Sequence, residues 1–484
     1  MKFVVRLVFA MAVVTCLASP AVAAGSLTGT VRDAQQQAIA GATVHVLAAS
    51  RLAVATVSTD QAGRFTVADL ADGAYQVVVT KGAFADRAVA VTVRDGAGMV
   101  DVTLDVAGVA DEVTVTATRD RVETAGATGQ PVNVITAEEI ADRAKVVVAQ
   151  AVEQEVGVAL QRTSPSMAGV FIRGLVGNKV NVFVDGVRYS NGAQRGGVNT
   201  FLDLIDAGGL DGIEILRGPS SDQYGSDALG GSIQFLSKMP SFASAGTRVG
   251  GSLAASGGTA HENVGGSGFA SVMGAKTGLV ATLSGRHTGL LRPGGGVDSH
   301  AAVTRFLGVS SDRLMDERLP NTGFDQVGGS LRGTWAPTAN ARFTAGYTRT
   351  NQDGADRYDQ LLGGDGNLIS ELNGLSLDAG TARVEALGGP LQYLTVTYGV
   401  NSQREERVNQ GGQGSNTATI GHEPERTTSH SLSALTRREL SSRVSVGLGG
   451  DVQFERLVSD AFNINPVTGA RSTPSSPPTA SSST

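Results

Sequence analysis

The chain has 484 residues, 64 of them glycine, with a net charge of −6 and only 17% charged residues. Glycine at roughly twice the usual content, with no basic excess, argues against a nucleic-acid binder, which carries a basic patch or stripe. The single cysteine, Cys16, lies in the leader, so the remainder has no disulfide and no thiolate metal site. Lys2 and Arg6 precede the apolar run Leu7–Leu17, too short to span a bilayer, and "AVA" at 21–23 supplies small residues for cleavage. Residues 1–24 therefore read as an export signal. Thr15 and Val13 fit a lipid-attachment site at Cys16 poorly. No later apolar run is long enough for a membrane helix, and a closed barrel is then the only way for the chain to cross a membrane.

From 25 to 107, seven short segments alternate in polarity between Gly and Asp turns: 27–33, 41–48, 53–60, 63–70, 73–80, 87–94 and 99–106. Seven such strands in so short a span predict a small β-sandwich. The linker 108–130 holds "DEVTVTATRD", in which Val113 and Val115 alternate with Thr114 and Thr116. A strand-prone segment between modules is suited to join another protein's sheet edge; it is equally suited to pack on the sandwich as an ordinary linker strand.

The next module, 131–239, opens with a strand running into a helix. Thr136 is placed as its N-cap, with Glu139 completing a capping box. Residues 146–160 are expected to form an amphipathic helix ending near Gly157. Two strands follow, and Asp185-Gly186 marks a turn. The module closes with "IEILRGPSSDQYGSDALGGSIQF" (213–235), an apolar strand that carries Glu214 and Arg217 and then a Gly-rich turn region.

The string "GTVRD…GATV…STDQAGRFTVADLADGAYQVVV" resembles the carboxypeptidase-regulatory-like, transthyretin-like domain, usually a structural or docking module. "VNVITAEEI" (132–140), "VFIRG" (170–174), "VNVFVDGVRYSNG" (180–192) and "IEILRGPSSDQYGSDALGGSIQFLSK" (213–238) resemble, in order, the plug domain of TonB-dependent outer-membrane receptors. "EVTVTATR" (112–119) resembles that family's TonB box. The resemblance implies a mainly β protein of the Gram-negative outer membrane: signal peptide, sandwich, α+β plug, and an antiparallel transmembrane barrel. It implies TonB with its inner-membrane energising complex as partner, binding at Glu112, Val113, Thr114, Val115, Thr116 and Ala117. Outer-membrane lipid and a small-molecule ligand complete the partners; no nucleic acid and no cofactor are implied. For a plug inside a polar wall, Arg173, Glu214 and Arg217 are candidates for pairing with the barrel, although Glu214 and Arg217 are also spaced to pair locally. Arg188, Tyr189, Arg195 and Asn199 border the apical stretch where ligand contact is expected.

Beyond Lys238 the period becomes two. Leu331 and Trp335 alternate with Ser330, Arg332 and Thr334; Phe343, Ala345 and Tyr347 alternate with Arg342, Thr344, Gly346 and Thr348; 394–401 and 443–454 behave alike. Apolar-out, polar-in strands with short turns at one end and long polar loops at the other match a transmembrane barrel. Trp335 and Tyr347 suit an interfacial girdle, and loops 311–326 and 351–367 are expected to face outward. A plugged transporter has about 22 strands, more than 240–462 can supply. With a low-complexity tail at 463–484, the chain reads as a truncated product or fragment.

An enzyme is the rival class. "HEPE" (422–425) has a His-x-x-Glu spacing, but Pro424 opposes a helix there and no third ligand is evident. No catalytic or metal residues are expected. The function expected is energy-coupled uptake of a scarce nutrient, a ferric siderophore or related metal chelate. The alternatives are an oligosaccharide or cobalamin receptor, or a surface adhesin on the same scaffold.

Overall fold

In a computed structural model of the chain, the described residues are 25–474 apart from 34, 49–52, 82–83, 85–86, 105–112, 119–120, 125–130, 144, 146, 190–191, 193–199, 244–245, 293–317, 320, 355, 358–359, 361–366, 388–392, 412–415 and 442–443. The expected leader, Glu112, Arg195, Asn199 and the end of the Ser/Pro-rich tail lie outside them. The chain divides into two compact units, Met1–Ala110 and Asp111–Thr484.

The first unit is a seven-stranded sandwich: β1 Gly25–Asp33, β2 Thr43–Ala48, β3 Ala53–Ser58, β4 Arg64–Leu70, β5 Gly73–Thr80, β6 Arg87–Val93 and β7 Ala97–Leu104. The sheet orders are β4-β1-β7 and β3-β2-β5-β6. Alternation turns Leu27 and Val31 of β1, Val44 and Val46 of β2, and Val77 and Val79 of β5 into one buried cluster. Asp33 and Asp60 fold their turns by accepting backbone N–H groups two and four residues on. Gly29 sits in the central strand of the β4-β1-β7 sheet, against both of its neighbours. A Cβ there would stand 2.0 Å from Val100 O and 2.6 Å from the Phe65 ring.

The second unit begins with a hairpin of β8 Val113–Thr118 and β9 Arg121–Thr124, Val113 opposite Thr124. The plug follows. β10 Val132–Thr136 runs into α1 Ala137–Arg143, and the capping box forms: Thr136 N donates to Glu139 Oε2 at 2.8 Å and Glu139 N donates to Thr136 Oγ1 at 3.3 Å. The expected helix over 146–160 does not form. A 3-10 turn covers Val148–Val152, with Val148, Ala149, Ala151 and Val152 all buried, and β11 Val158–Ser164 takes the rest. Val147, Val148, Ala149, Ala151 and Val152 are buried in one run, while Glu153, Gln154, Val156 and Gly157 are exposed in the next; burial changes along the chain rather than around a helix, and Gly157, at φ +76°, reverses the chain into the sheet. β11 pairs with β12 Met167–Ile172. The main plug sheet adds β13 Val180–Val184, β14 Val187–Arg188, β15 Leu210–Arg217 and, after the short α2 Ser221–Tyr224, β16 Gly231–Ser237. Its order is β10-β15-β16-β13-β14, and β8 runs close to β10 and β15. Ile135, Ile172, Ile213, Ile215, Ile233 and Phe235 form the centre of its own apolar core.

The remaining strands are an antiparallel meander: β17 Arg248–Gly258, β18 Asn263–Met273, β19 Thr277–Thr288, β20 Phe324–Thr338, β21 Ala341–Gly354, β22 Ile369–Leu387, β23 Tyr393–Gln410, β24 Ile420–Ser441 and β25 Val444–Ser459, with short β26 Phe462–Ile464 and β27 Arg471–Ser472 beside β24. Each long strand pairs with the next in sequence. Among the described residues β17 pairs only with β18, and β25 only with β24. The connections at 274–276, 339–340, 388–392 and 442–443 are short, and those at 289–323, 355–368 and 411–419 are long. The plug enters the meander at the short-turn end, where Ala243 N donates to Gly274 O at 2.9 Å. Leu331, Trp335, Phe343 and Tyr347 are exposed on the outer face, and Trp335 stacks on Phe343 beside a short turn, with ring centroids 5.4 Å apart. This is the aromatic position of an interfacial girdle.

Gly29→Val is expected to destabilise the sandwich by about 1–3 kcal/mol or more through overpacking. A lowered urea midpoint of a 25–107 fragment, compared with Gly73→Ala at an open position, checks this.

Candidate functional site

The functional geometry lies along the seam between the plug and the inner face of the strand wall. Its lower clamp is the β13–β14 turn. Asp185 and Gly186 take φ of 52° and 79°, the left-handed pair that a two-residue hairpin requires. Asp185 Oδ1 accepts from Ser237 N at 2.8 Å, which ties the turn to β16. Arg332 of β20 brings Nη1 within 2.7 Å of Asp185 Oδ2, the two side chains only 6% and 7% exposed. The contact is a close ion pair rather than an aligned hydrogen bond, since Asp185 Oδ2 has no partner of hydrogen-bond geometry. Arg383 of β22 donates to Asp185 O. One plug turn is therefore gripped by two barrel arginines. Next to it, Gly399 of β23 allows close approach: a Cβ there would stand 2.3 Å from Val187 Cγ1.

Higher on the seam the contacts are single hydrogen bonds to plug backbone or hydroxyls. Asn401 and Gln403 both donate to Tyr189 O, at 3.0 and 3.1 Å. Thr200 Oγ1 donates to Glu405 at 2.8 Å, and Glu405 is also held by Arg407 at 2.6 Å. Gln326 donates to Asp203 O at 2.7 Å, Ser164 to Asp356 O at 2.8 Å, and Gly192 N to Glu455 at 2.8 Å. Asp203 is buried; its Oδ1 accepts from Ala149 N at 3.3 Å while Oδ2 has no hydrogen-bond partner. Burial pushes its carboxyl up to about 7, against a smaller opposing pull from Arg162, Ala149 N–H and Arg286. Burial likewise lowers Arg162.

The residues singled out from sequence are distributed as follows. Glu214 lies in the middle of β15, 1% exposed, between Val134 and Gln234 of the flanking strands. Arg217 ends that strand, with its guanidinium beside Gly157, and Arg173, at φ 52°, is exposed with its guanidinium beside Gly218. Arg188 pairs with Asp227 and Asn181, each at 3.0 Å. Tyr189 is 2% exposed, with its hydroxyl donating to Phe201 O. These last two are occupied within the plug rather than open at its apex. The "HEPE" run belongs to β24. Residues three apart on a strand face opposite sides, and His422 meets Glu406 at 3.0 Å while stacking on Phe462. Asp185, Arg332, Arg383, Glu405 and Asp203 carry the seam and were not marked from sequence as site residues. Two signals for them were legible: Asp185 as the head of an Asp-Gly turn, and Arg332 as an inward-facing arginine in a run, 327–335, with no other charge.

Residues 124–232 match the TonB-dependent Receptor Plug Domain, and residues 26–107 match the Carboxypeptidase regulatory-like domain. Over 131 residues the chain is 31% identical to the vitamin B12 transporter BtuB of Vibrio cholerae, covering 26% of this chain and 21% of that protein. Over 122 residues it is 34% identical to the ferrioxamine receptor of Yersinia enterocolitica, covering 25% and 17%. Among solved structures, the copper transporter OprC superposes with a TM-score of 0.53 at 15% identity, over 71% of this chain and 48% of OprC. The ferric citrate transporter FecA superposes with a TM-score of 0.53 at 14% identity, over 72% and 50%. At those identities the structures speak for the fold. The chain spans about half the length of these solved transporters, and its matched segments about a fifth of the curated relatives.

Plug, seam and strand wall thus share the fold of plugged β-barrel transporters. The chain carries the plug domain of TonB-dependent receptors, with a carboxypeptidase regulatory-like domain ahead of it, and the relatives it matches are transporters and receptors of that kind, not enzymes.

Arg332→Ala leaves Asp185 buried without its ion pair, at an expected cost of about 3–5 kcal/mol. Arg349→Ala removes an exposed pair with Asp378 and is expected to cost under about 1 kcal/mol; urea midpoints of the two variants in detergent compare them. For Asp203, the folded carboxyl ionises near 7 and the unfolded one near 3.8. Its contribution is fully present below 3.8, is lost as pH rises through 7, and is flat above. Asp203→Asn is therefore expected to be more stable than the parent at pH 8.5, by about 1–3 kcal/mol, with the gap closing towards pH 4. Thermal midpoints across that range check the sign.

Proposed function

We propose that the protein serves energy-coupled uptake of a metal chelate, a ferric siderophore or a related complex, across the outer membrane. The observation that carries this reading is the seam itself. Apart from the contact with Leu372, Leu375 and Leu377 of the wall, the plug is cemented by single hydrogen bonds and one clamped turn, which can part without exposing a large apolar surface. Chelate chemistry is favoured because the relatives named for ligands include a ferrioxamine receptor and a vitamin B12 transporter. Arg195 and Asn199, in the apical stretch after Tyr189, would meet such a ligand, with Arg188 and Tyr189 setting the base of that stretch. Residues 112–117 would be the segment that TonB takes up by strand addition, for which the strand-forming backbone of β8 is suited. Arg173, Glu214 and Arg217 would pair with charged groups of the barrel wall. Ligand binding at the apex would shift the population of plug states; no bond chemistry is involved.

Val113→Pro removes a strand N–H and fixes φ. It is expected to abolish energised uptake of radiolabelled ferric chelate by at least tenfold while leaving binding at the cell surface unchanged. Equal loss of binding and uptake, or uptake indifferent to the change, would overturn the reading.

A further inference from the structure

Among the described residues, the two sheets of the sandwich end on four edge strands: β4 and β7 of one, β3 and β6 of the other. A strand edge presents unpaired N–H and C=O groups, and proteins guard such edges with charge, proline or a bulge. β4 carries Arg64 and Asp69, β6 carries Arg87 and β7 carries Asp101. β3, Ala53–Ser58, reads AVATVS, with no charge and no proline. Its one irregularity is at its start, where Val54 is the extra residue between the pairs Val46–Ala55 and Leu47–Ala53. From 55 to 58 its ladder with β2 is regular, and on its far side this run meets no other strand.

The side chains of the run complement a second copy of themselves. Ala55 and Val57 pack against the sandwich core, while Thr56 and Ser58 are exposed on the outer face. Two such strands, antiparallel about a two-fold axis at Thr56, set Thr56 opposite Thr56 and Ala55 opposite Val57. Directly opposite residues share a face, and Thr–Thr pairs are favourable there, whereas like charges are not. A register centred on Val57 would need Thr59, which is 6% exposed and bonded to Ile39 O and Ala42 N. One centred on Ala55 would put the Val54 bulge inside the ladder.

We propose that β3 is a self-pairing edge: two copies of the chain join their four-stranded sheets antiparallel through residues 55–57, about a two-fold axis at Thr56. Two-fold pairs are the commonest homo-oligomers. So short a run buries less than the ~1,000 Å² of a stable interface, so the association is transient. It involves the sandwich alone and does not rest on the uptake reading above.

The test traps the pair covalently, in the full chain in isolated outer membranes, with Cys16→Ser as background so that one added thiol is unique. Directly opposite residues have Cα atoms about 4.5–5.5 Å apart, a separation a disulfide spans. Thr56→Cys is therefore expected to give a covalent homodimer under mild oxidation. Thr66→Cys, exposed on the charged edge strand β4, is the matched control. The Thr56→Cys dimer, of twice the chain mass, is expected to form at least tenfold faster than the Thr66→Cys dimer. Adding Ser58→Lys is expected to slow it at least fivefold, because each copy then sets a lysine on the shared edge. Equal rates at the two positions would overturn the self-pairing edge. A Thr56→Cys adduct with a different polypeptide would overturn the second copy as its occupant. Fast dimerisation indifferent to Ser58→Lys would overturn strand pairing as its cause. The comparison of the two thiols is made without Ser58→Lys, so it decides the proposal even if that variant fails to assemble.

Discussion

The structure depends on one constraint: side chains on the inner face of the strand wall are polar, and wherever the plug covers them their hydrogen-bonding groups must find partners across the seam. Asn401, Gln403, Gln326 and Glu405 do so by reaching plug backbone or hydroxyl groups. Each such bond adds only about 0.5–1.5 kcal/mol net, but a buried group left bare costs as much or more. The seam is thus specific in register without being strongly adhesive. The Arg332–Asp185 pair is the exception, because both partners are withdrawn from water and neither tolerates loss of the other.

The plug is not held by polarity alone. It has its own apolar core, and Leu372, Leu375 and Leu377 of the wall are built into that core. They flank the irregularity in β22 between Asn373 and Ser376, where Gly374 adopts φ of 58°. A bulge of this kind re-aims side chains, and here it turns three leucines inward from a wall whose inner face is otherwise polar. The plug therefore has two kinds of attachment, a greasy one at the bulge and a polar one at the turn. A displacement that breaks the polar contacts first can pivot on the leucines.

The wall strands change character along their length. β22, β23 and β24 run to 19, 18 and 22 residues, well beyond the roughly 9–11 that cross a bilayer. Towards the long-loop end they carry charge. Arg407 lies among Glu405, Glu425 and Glu423, at 2.6, 3.2 and 3.6 Å. Close by, His422 stacks on Phe462, over which Arg471 lies at 3.6 Å. Glu405 reaches the plug, so the Arg407 network lies on the inner face; Glu406, which His422 meets, takes the opposite face and puts charge on the outer side of the wall, at the end remote from Trp335 and Phe343.

The amino-acid sequence by itself determined the local elements. Period-two alternation set the seven sandwich strands and the in/out faces of the wall; Thr136 with Glu139 set the cap of α1; Asp185-Gly186 set its turn. Each is a choice among a few backbone states made by residues within a few positions of one another. Tertiary structure alone decided the rest. Val148–Val152 became a 3-10 turn because that short run is buried in the plug core and the chain then turns back to pair β11 with β12. His422 to Glu425 entered β24 because β23 pairs with it in register on both sides of Pro424. Arg332 met Asp185, 147 positions away, because strand register and the curve of the wall brought them together. Alternation says which face a side chain takes; it does not say what will stand opposite, since that depends on the packing of elements remote in the chain.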